Sequence, residues 1–214
     1  MRWNRFFEDL EHQLDSEQAA EQLALDGEAE RLRLSRLELR TRLSTLVGCE
    51  LGAELAGEGS GGEPALLRGT VAGVGADWLG LVLGRGGAAV APLRSIRMLR
   101  LDRPSLVASR GVPVGGEGEL ATTQGRDPGG RLRERQTFGF VLRDFARRRL
   151  AVALHLGGER VVRGTIDRVG ADHLELALHE PGAPRREGEV SGFRLVPLHA
   201  VAWVQLDRPE ALLG

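Results

Sequence analysis

Apolar residues recur along this chain at two different periods, and the switches between them divide it into segments. Up to about residue 46 the spacing is helical. Trp3, Phe7, Leu10 and Leu14 fall on one side, and Leu25, Leu32, Leu39 and Leu46 recur every seven residues with Ala29 and Leu43 beside them. Arg36 interrupts the second row, and Asp26-Gly27 is the expected weak point. Glu38, four residues before Arg42, supports an exposed helical face. Residues 1–46 therefore predict an N-terminal helix. It would either lie on the β-structure that follows or pair with its counterpart in a second copy as a short coiled coil.

From Val47 the period becomes two, with Val47, Cys49 and Leu51 alternating against Gly48, Glu50 and Gly52. Further strands are predicted at Ala65–Val74, Trp78–Leu83, Ala88–Leu93 and Ile96–Leu101, separated by Gly-rich turns. Residues 106–130, with seven Gly and two Pro, read as a flexible linker. Residues 131–149 predict a second helix, with Phe138, Val141, Leu142 and Phe145 on one face. A second strand series then runs from about 150 to 209: Leu150–Leu156, Val161–Val169, Leu174–Leu178, Phe193–Leu198 and Val201–Leu206.

The two series are copies. Residues 68–83, RGTVAGVGADWLGLVL, and 163–178, RGTIDRVGADHLELAL, share ten identical positions at a constant offset. A later pair, APLRSIRMLRLDRP from Ala91 and VPLHAVAWVQLDRP from Val196, matches at an offset larger by ten, so the second copy has one longer hairpin at 180–192. Gly69 and Gly164 lie inside strands, where glycine marks a sharp bend. A helix followed by five short strands, twice over, calls for closure to remove sheet edges. The fold class expected is mainly β with helices: two tandem five-stranded barrels at 47–105 and 150–209, each led by a helix.

The segment LALHLGGERVVRGTIDRVGADHLELAL and the later RLVPLHAVAWVQL resemble the two motifs of the Sm-like (LSm/Hfq) small β-barrel family, whose pattern SH3-like barrels largely share. The whole chain also looks like a group of short proteins from high-GC Gram-positive bacteria, a likeness that carries no mechanism. The Sm-like resemblance implies a helix and then a bent five-stranded barrel in each copy. It also implies association edge to edge, so that three chains would supply a ring of six barrels. Sm proteins read a base with an Asp and an Asn near the turn between the second and third strands. Here that turn is VGAD in both copies with no Asn following, and Asp77 and Asp172 read as turn caps. Of the Lys-His pair that Hfq carries before its last strand, the second copy keeps His199, while the first has Arg94. Both are candidate contacts to a phosphate or a partner.

Composition removes several chemistries. All 29 basic residues are Arg, so no Lys is present for a Schiff base or a phosphate loop. The single cysteine, Cys49, cannot form an internal disulfide and reads as a core thiol in a reducing compartment. No apolar signal core or membrane-length run occurs, and a cytoplasmic location is expected. Gly57–Gly62 matches GxGxxG, but a strand rather than a helix follows, so it reads as a hairpin turn. Gly84–Ala89 is a similar decoy. His155, His173, His179 and His199 lack metal-ligand spacing with Cys or carboxylates. No catalytic, cofactor-binding or metal residue is expected, and the chain is not expected to be an enzyme.

Charge is uneven. Residues 111–150 carry eight Arg against five acids, and the first 40 residues six Arg against ten. Arg133, Arg143 and Arg147 fall opposite the apolar stripe of the second helix, with Arg148 at its end. A solvated face, a phosphate-contacting patch and a site for an acidic partner all fit this pattern. The function expected is a non-enzymatic binding or assembly module, with homo-oligomers forming through barrel edges or the N-terminal helix. The alternative is an RNA- or DNA-associated regulator using Arg133, Arg143, Arg147 and Arg148 together with Arg94 and His199.

Overall fold

The VGAD turns each join two strands of a single antiparallel sheet, which has ten strands among the described residues. The structure is a computed structural model that describes residues 2–58, 64–111, 133–179 and 191–213. The described residues up to Glu38 form one unit, and those from Leu39 onward form another. The first unit is the long helix α1 (Arg2–Ser35), with Glu30 and Arg33 ion-paired at 2.6 Å. The second unit opens with α2 (Leu39–Ser44), followed by β1 (Glu50–Glu58), β2 (Pro64–Val74), β3 (Trp78–Leu83), β4 (Ala88–Pro92), β5 (Ile96–Arg100) and α3 (Arg103–Ala108). Then come α4 (Phe138–Arg147), β6 (Ala151–Leu156), β7 (Val161–Val169), β8 (His173–Leu178), β9 (Gly192–Pro197), β10 (Val201–Leu206) and α5 (Glu210–Leu213). No helix among the described residues is long and apolar enough to cross a membrane.

Several boundaries differ from those the sequence predicts. The first helical stretch runs through Asp26-Gly27 and breaks instead after Ser35. A single glycine costs a helix only about 1 kcal/mol, and the neighbouring Leu, Ala and Glu residues carry it. The heptad leucines therefore divide: Leu25, Leu32 and Leu39 are exposed, while Leu46 is buried. The first strand starts at Glu50, because Gly48 turns the chain with φ 86° and leaves Val47 exposed. The expected linker begins with helix α3, since Asp102 accepts the Ser105 N–H at 2.8 Å and Pro104 fits a first helical turn. The rest of the linker, from residue 112, lies outside the described residues, as do most of the first GxGxxG match and the long hairpin at 180–190. The expected second helix is interrupted: residues 133–135 are helical, Gln136 and Thr137 are not, and helix α4 starts at Phe138 with Thr137 as its cap. It ends where Arg149 takes a left-handed conformation, φ 53°.

The two five-strand sets have one internal order, β5-β1-β2-β3-β4 and β10-β6-β7-β8-β9. Glu50 pairs with Thr70 as Ala151 pairs with Thr165, and both pairings with the next strand carry an irregularity two residues further on. The in-strand glycines explain why. A Cβ on Gly69 would collide with the Val82 carbonyl, and one on Gly164 with the Ala177 carbonyl. Each repeat thus folds one strand tightly over the next where only glycine fits.

Between the sets, β4 of the first copy pairs antiparallel with β10 of the second: Val90 with Val204, Ala89 with Gln205 and Ala88 with Leu206. Two hydrophobic clusters fill the unit, and both cross this junction. The cluster under the second copy takes in Trp78, Ala88 and Val90 from the first. The cluster under the first copy takes in Ala202 and Trp203 from the second.

Candidate functional site

The junction between the repeats organises the side chains that the sequence singles out. Helix α4 buries Phe138, Val141, Leu142 and Phe145, as its apolar stripe predicts. Its N-terminus is held by the first copy's β2–β3 turn. Asp77 accepts the Phe138 N–H at 2.6 Å, and the Trp78 indole N–H and the Ala76 N–H both donate to the Gln136 carbonyl at 2.9 Å. The Asp77 side chain, expected to cap its own turn, instead accepts an N–H of helix α4 that has no intrahelical partner. Gly75 leaves the space that the indole fills.

The same four residues, VGAD, behave differently in the second copy. The backbone role repeats: the Asp77 carbonyl accepts the Leu93 N–H at 2.8 Å, and the Asp172 carbonyl accepts the Leu198 N–H at 2.7 Å. The side-chain role does not. Asp172 is exposed and hydrogen-bonds only the adjacent His173 ring, at 2.8 Å. That bond, reinforced by the histidine's charge, holds the Asp172 carboxyl below the usual carboxylate range.

Of the predicted cationic contacts, Arg133 and Arg147 line one pocket of about 280 Å³ together with Asp144 and Phe140. The Arg133 guanidinium reaches the Ala72 carbonyl at 3.4 Å, and Arg143 donates to the Val169 and Gly170 carbonyls at 3.4 and 3.1 Å. Arg147 and Arg148 both pair with Asp144, and Arg148 also donates to the Ala211 carbonyl at 2.7 Å. Arg149 pairs with Asp167 at 2.8 Å. Arg94 and His199 do come together, on equivalent 3-10 turns at Leu93–Ser95 and Leu198–Ala200. Arg94 donates to the Leu198 carbonyl and lies 5.9 Å from the Phe138 ring centroid, while His199 stays exposed. Arg94 thus fastens the junction, a role its exposed turn gave no sign of.

The remaining histidines are spread out. His155 stacks on Trp203 with ring centroids 4.0 Å apart and meets Gln205 at 3.3 Å; burial lowers its pKa below the usual 6.5. His179 bonds Thr165 at 2.7 Å in the interior. Among the described residues no three His, Cys, Asp or Glu side chains group as metal ligands would. Cys49 is half-buried and packs against the first copy's cluster.

The sequence reading expects association through barrel edges, and the described sheet ends in two outer edge strands. Among the described residues, strand β5 pairs only with β1, and β9 only with β8. Met98 on β5, and Phe193 and Leu195 on β9, are large apolar side chains that are 54 to 70 % exposed. Beside β5 runs an apolar groove of about 310 Å³ between α2, β5 and α3, lined by Leu39, Leu43, Leu46, Met98 and Leu106 with Arg42 and Arg97 at its rim. Comparison of the chain with family models, curated proteins and solved structures finds no match.

Proposed function

We propose that this chain is a non-enzymatic assembly module, built on a duplicated Sm-like barrel frame, that associates with copies of itself through the ends of its sheet. One observation carries the reading. The strands joined at the internal junction, β4 and β10, have repeat counterparts in β9 and β5, the two strands left unpaired at the outer edges. An unpaired edge presents a row of free N–H and C=O groups and normally carries protection against pairing. Here Arg97 and Arg100 on β5 and Arg194 and Pro197 on β9 stand beside the exposed apolar side chains Met98, Phe193 and Leu195. A contact between two different surfaces repeats from copy to copy and closes into a ring when its rotation allows. With three chains the ring would hold six barrels.

Contact with RNA or DNA is the less favoured reading. Arg133, Arg143, Arg147 and Arg148 each use donors on backbone carbonyls or on Asp144, which lowers their availability to phosphates. Light scattering on the purified protein tests the proposal. The expected mass is three times 23.2 kDa, about 70 kDa. A single-chain mass that persists at high concentration refutes assembly. Salt-sensitive RNA or DNA binding that is lost in the Arg143→Ala, Arg147→Ala double variant would establish the alternative.

A further inference from the structure

Four exposed apolar residues of the outer edges have buried counterparts at the inner junction. The repeat offset relates Met98 to Trp203, Val107 to Leu212, Phe193 to Ala88 and Leu195 to Val90. The outer four are at least 54 % exposed, and the inner four at most 8 %. The inner four are covered by the other repeat: Trp203 enters the first copy's cluster, Ala88 and Val90 enter the second's, and Leu212 rests against Gly80 and Trp78. The outer four have the same places in the frame and no repeat beyond them.

We infer that the groove between α2, β5 and α3 is the seat for the β9 edge and the β7–β8 turn of a second copy, in the register of the β4–β10 junction. This rests on the assembly reading above and specifies its contact. In that register Leu195 falls opposite Leu99 and Phe193 opposite Leu101. His173 takes the place that Trp78 holds inside, where the indole lies beside Val141, Phe145 and Leu212 of the second copy's helices. The matching wall of the outer groove is Leu43, Leu46 and Leu106. Burial of these side chains is the driving force, at about 25 cal/mol for each Å² of apolar surface removed from water.

Charge favours the same head-to-tail sense. Asp172 and Glu175 stand on the donor side, and Arg42 and Arg97 on the groove side. One like-charge pair opposes it, Arg194 against Arg100, but Arg100 is already ion-paired with Glu54. Because the two contacting surfaces differ, each copy has one of each, and one copy's β9 edge meets the next copy's groove.

Complementation between two surface variants tests the contact. Leu195→Arg disables the β9 edge and Met98→Asp, at an exposed residue lining the groove, disables the groove. Both residues are exposed, so both variants should keep the wild-type circular dichroism spectrum and thermal midpoint. Each alone should be a monomer by light scattering, and an equimolar mixture should form a one-to-one complex and nothing larger. If the wild type assembles and either variant still assembles like it, this contact is wrong while the assembly reading stands. A mixture that stays monomeric also overturns the head-to-tail arrangement. A monomeric wild type removes both proposals.

Discussion

Trp78→Ala is the substitution that asks most of the junction. The indole is 2 % exposed and belongs to the cluster under the second repeat, although its backbone is in the first. Truncating a buried Trp to Ala typically costs 3–5 kcal/mol, through lost transfer energy and the cavity left behind. The indole N–H bond to the Gln136 carbonyl contributes about 1 kcal/mol more. That carbonyl keeps the Ala76 N–H, so no orphaned acceptor adds to the loss. The indole lines a surface pocket beside α4 and α5, with Val141, Phe145 and Leu212 as its apolar neighbours. We expect a loss of about 5 kcal/mol and, at roughly 2–4 °C per kcal/mol for a protein of this size, a midpoint lowered by roughly 15 °C. Urea unfolding followed by far-ultraviolet circular dichroism, with calorimetry beside it, measures both. The wild type should unfold in one transition, because both hydrophobic clusters contain residues of both repeats. A loss below about 1 kcal/mol, or a wild type that unfolds in two separated steps, would refute the view that the repeats share their cores.

Three further outcomes follow from the same geometry. Gly164→Ala drives a Cβ into the Ala177 carbonyl; it should destabilise the protein by about 2 kcal/mol or more, and a neutral result in urea melts would show that the bend does not need glycine. His155 is held below its usual pKa of 6.5, chiefly by burial. Its folded state therefore favours the neutral ring, so its contribution is complete above pH 6.5 and is lost as pH falls through the lowered folded value. Unfolding free energies measured from pH 7.5 to 5 should decline, and His155→Gln should remove part of that decline; an unchanged pH profile in the variant would contradict this. Arg194→Glu places an acid opposite Arg100 in the proposed register and should tighten assembly in sedimentation experiments. Weaker assembly would place the edge strands in another register.

Local pattern made much of the chain legible. Alternation located β2, β3, β7, β8 and β10 to within a residue or so, and the stripe Phe138, Val141, Leu142, Phe145 identified the buried face of α4. The in-strand glycines marked the bends, since a close backbone approach leaves room for no other residue. The helix ends were less legible, because they depended on caps at Asp102 and Thr137 rather than on periodicity. The cationic residues were the least legible of all. Their spacing suggested one exposed face, whereas Arg143 and Arg148 turn to backbone carbonyls that only the folded chain brings near.

By itself, then, the sequence determined the duplication, the strands, the faces that must be apolar and the glycines that bend them. These follow from side-chain period and backbone sterics within a few residues. The tertiary structure alone decided what covers each apolar face. Identical VGAD turns end differently: Asp77 holds the start of α4, while Asp172 faces solvent. Trp203 and Met98 have equivalent places in their strands, yet one is buried in the other repeat's core and the other is exposed. Alternation records that a face needs burial, but the partner that buries it comes from residues more than a hundred positions away, through the β4–β10 pairing. That pairing also leaves β5 and β9 as the only unpaired edges of the described sheet, which is where the proposed assembly begins.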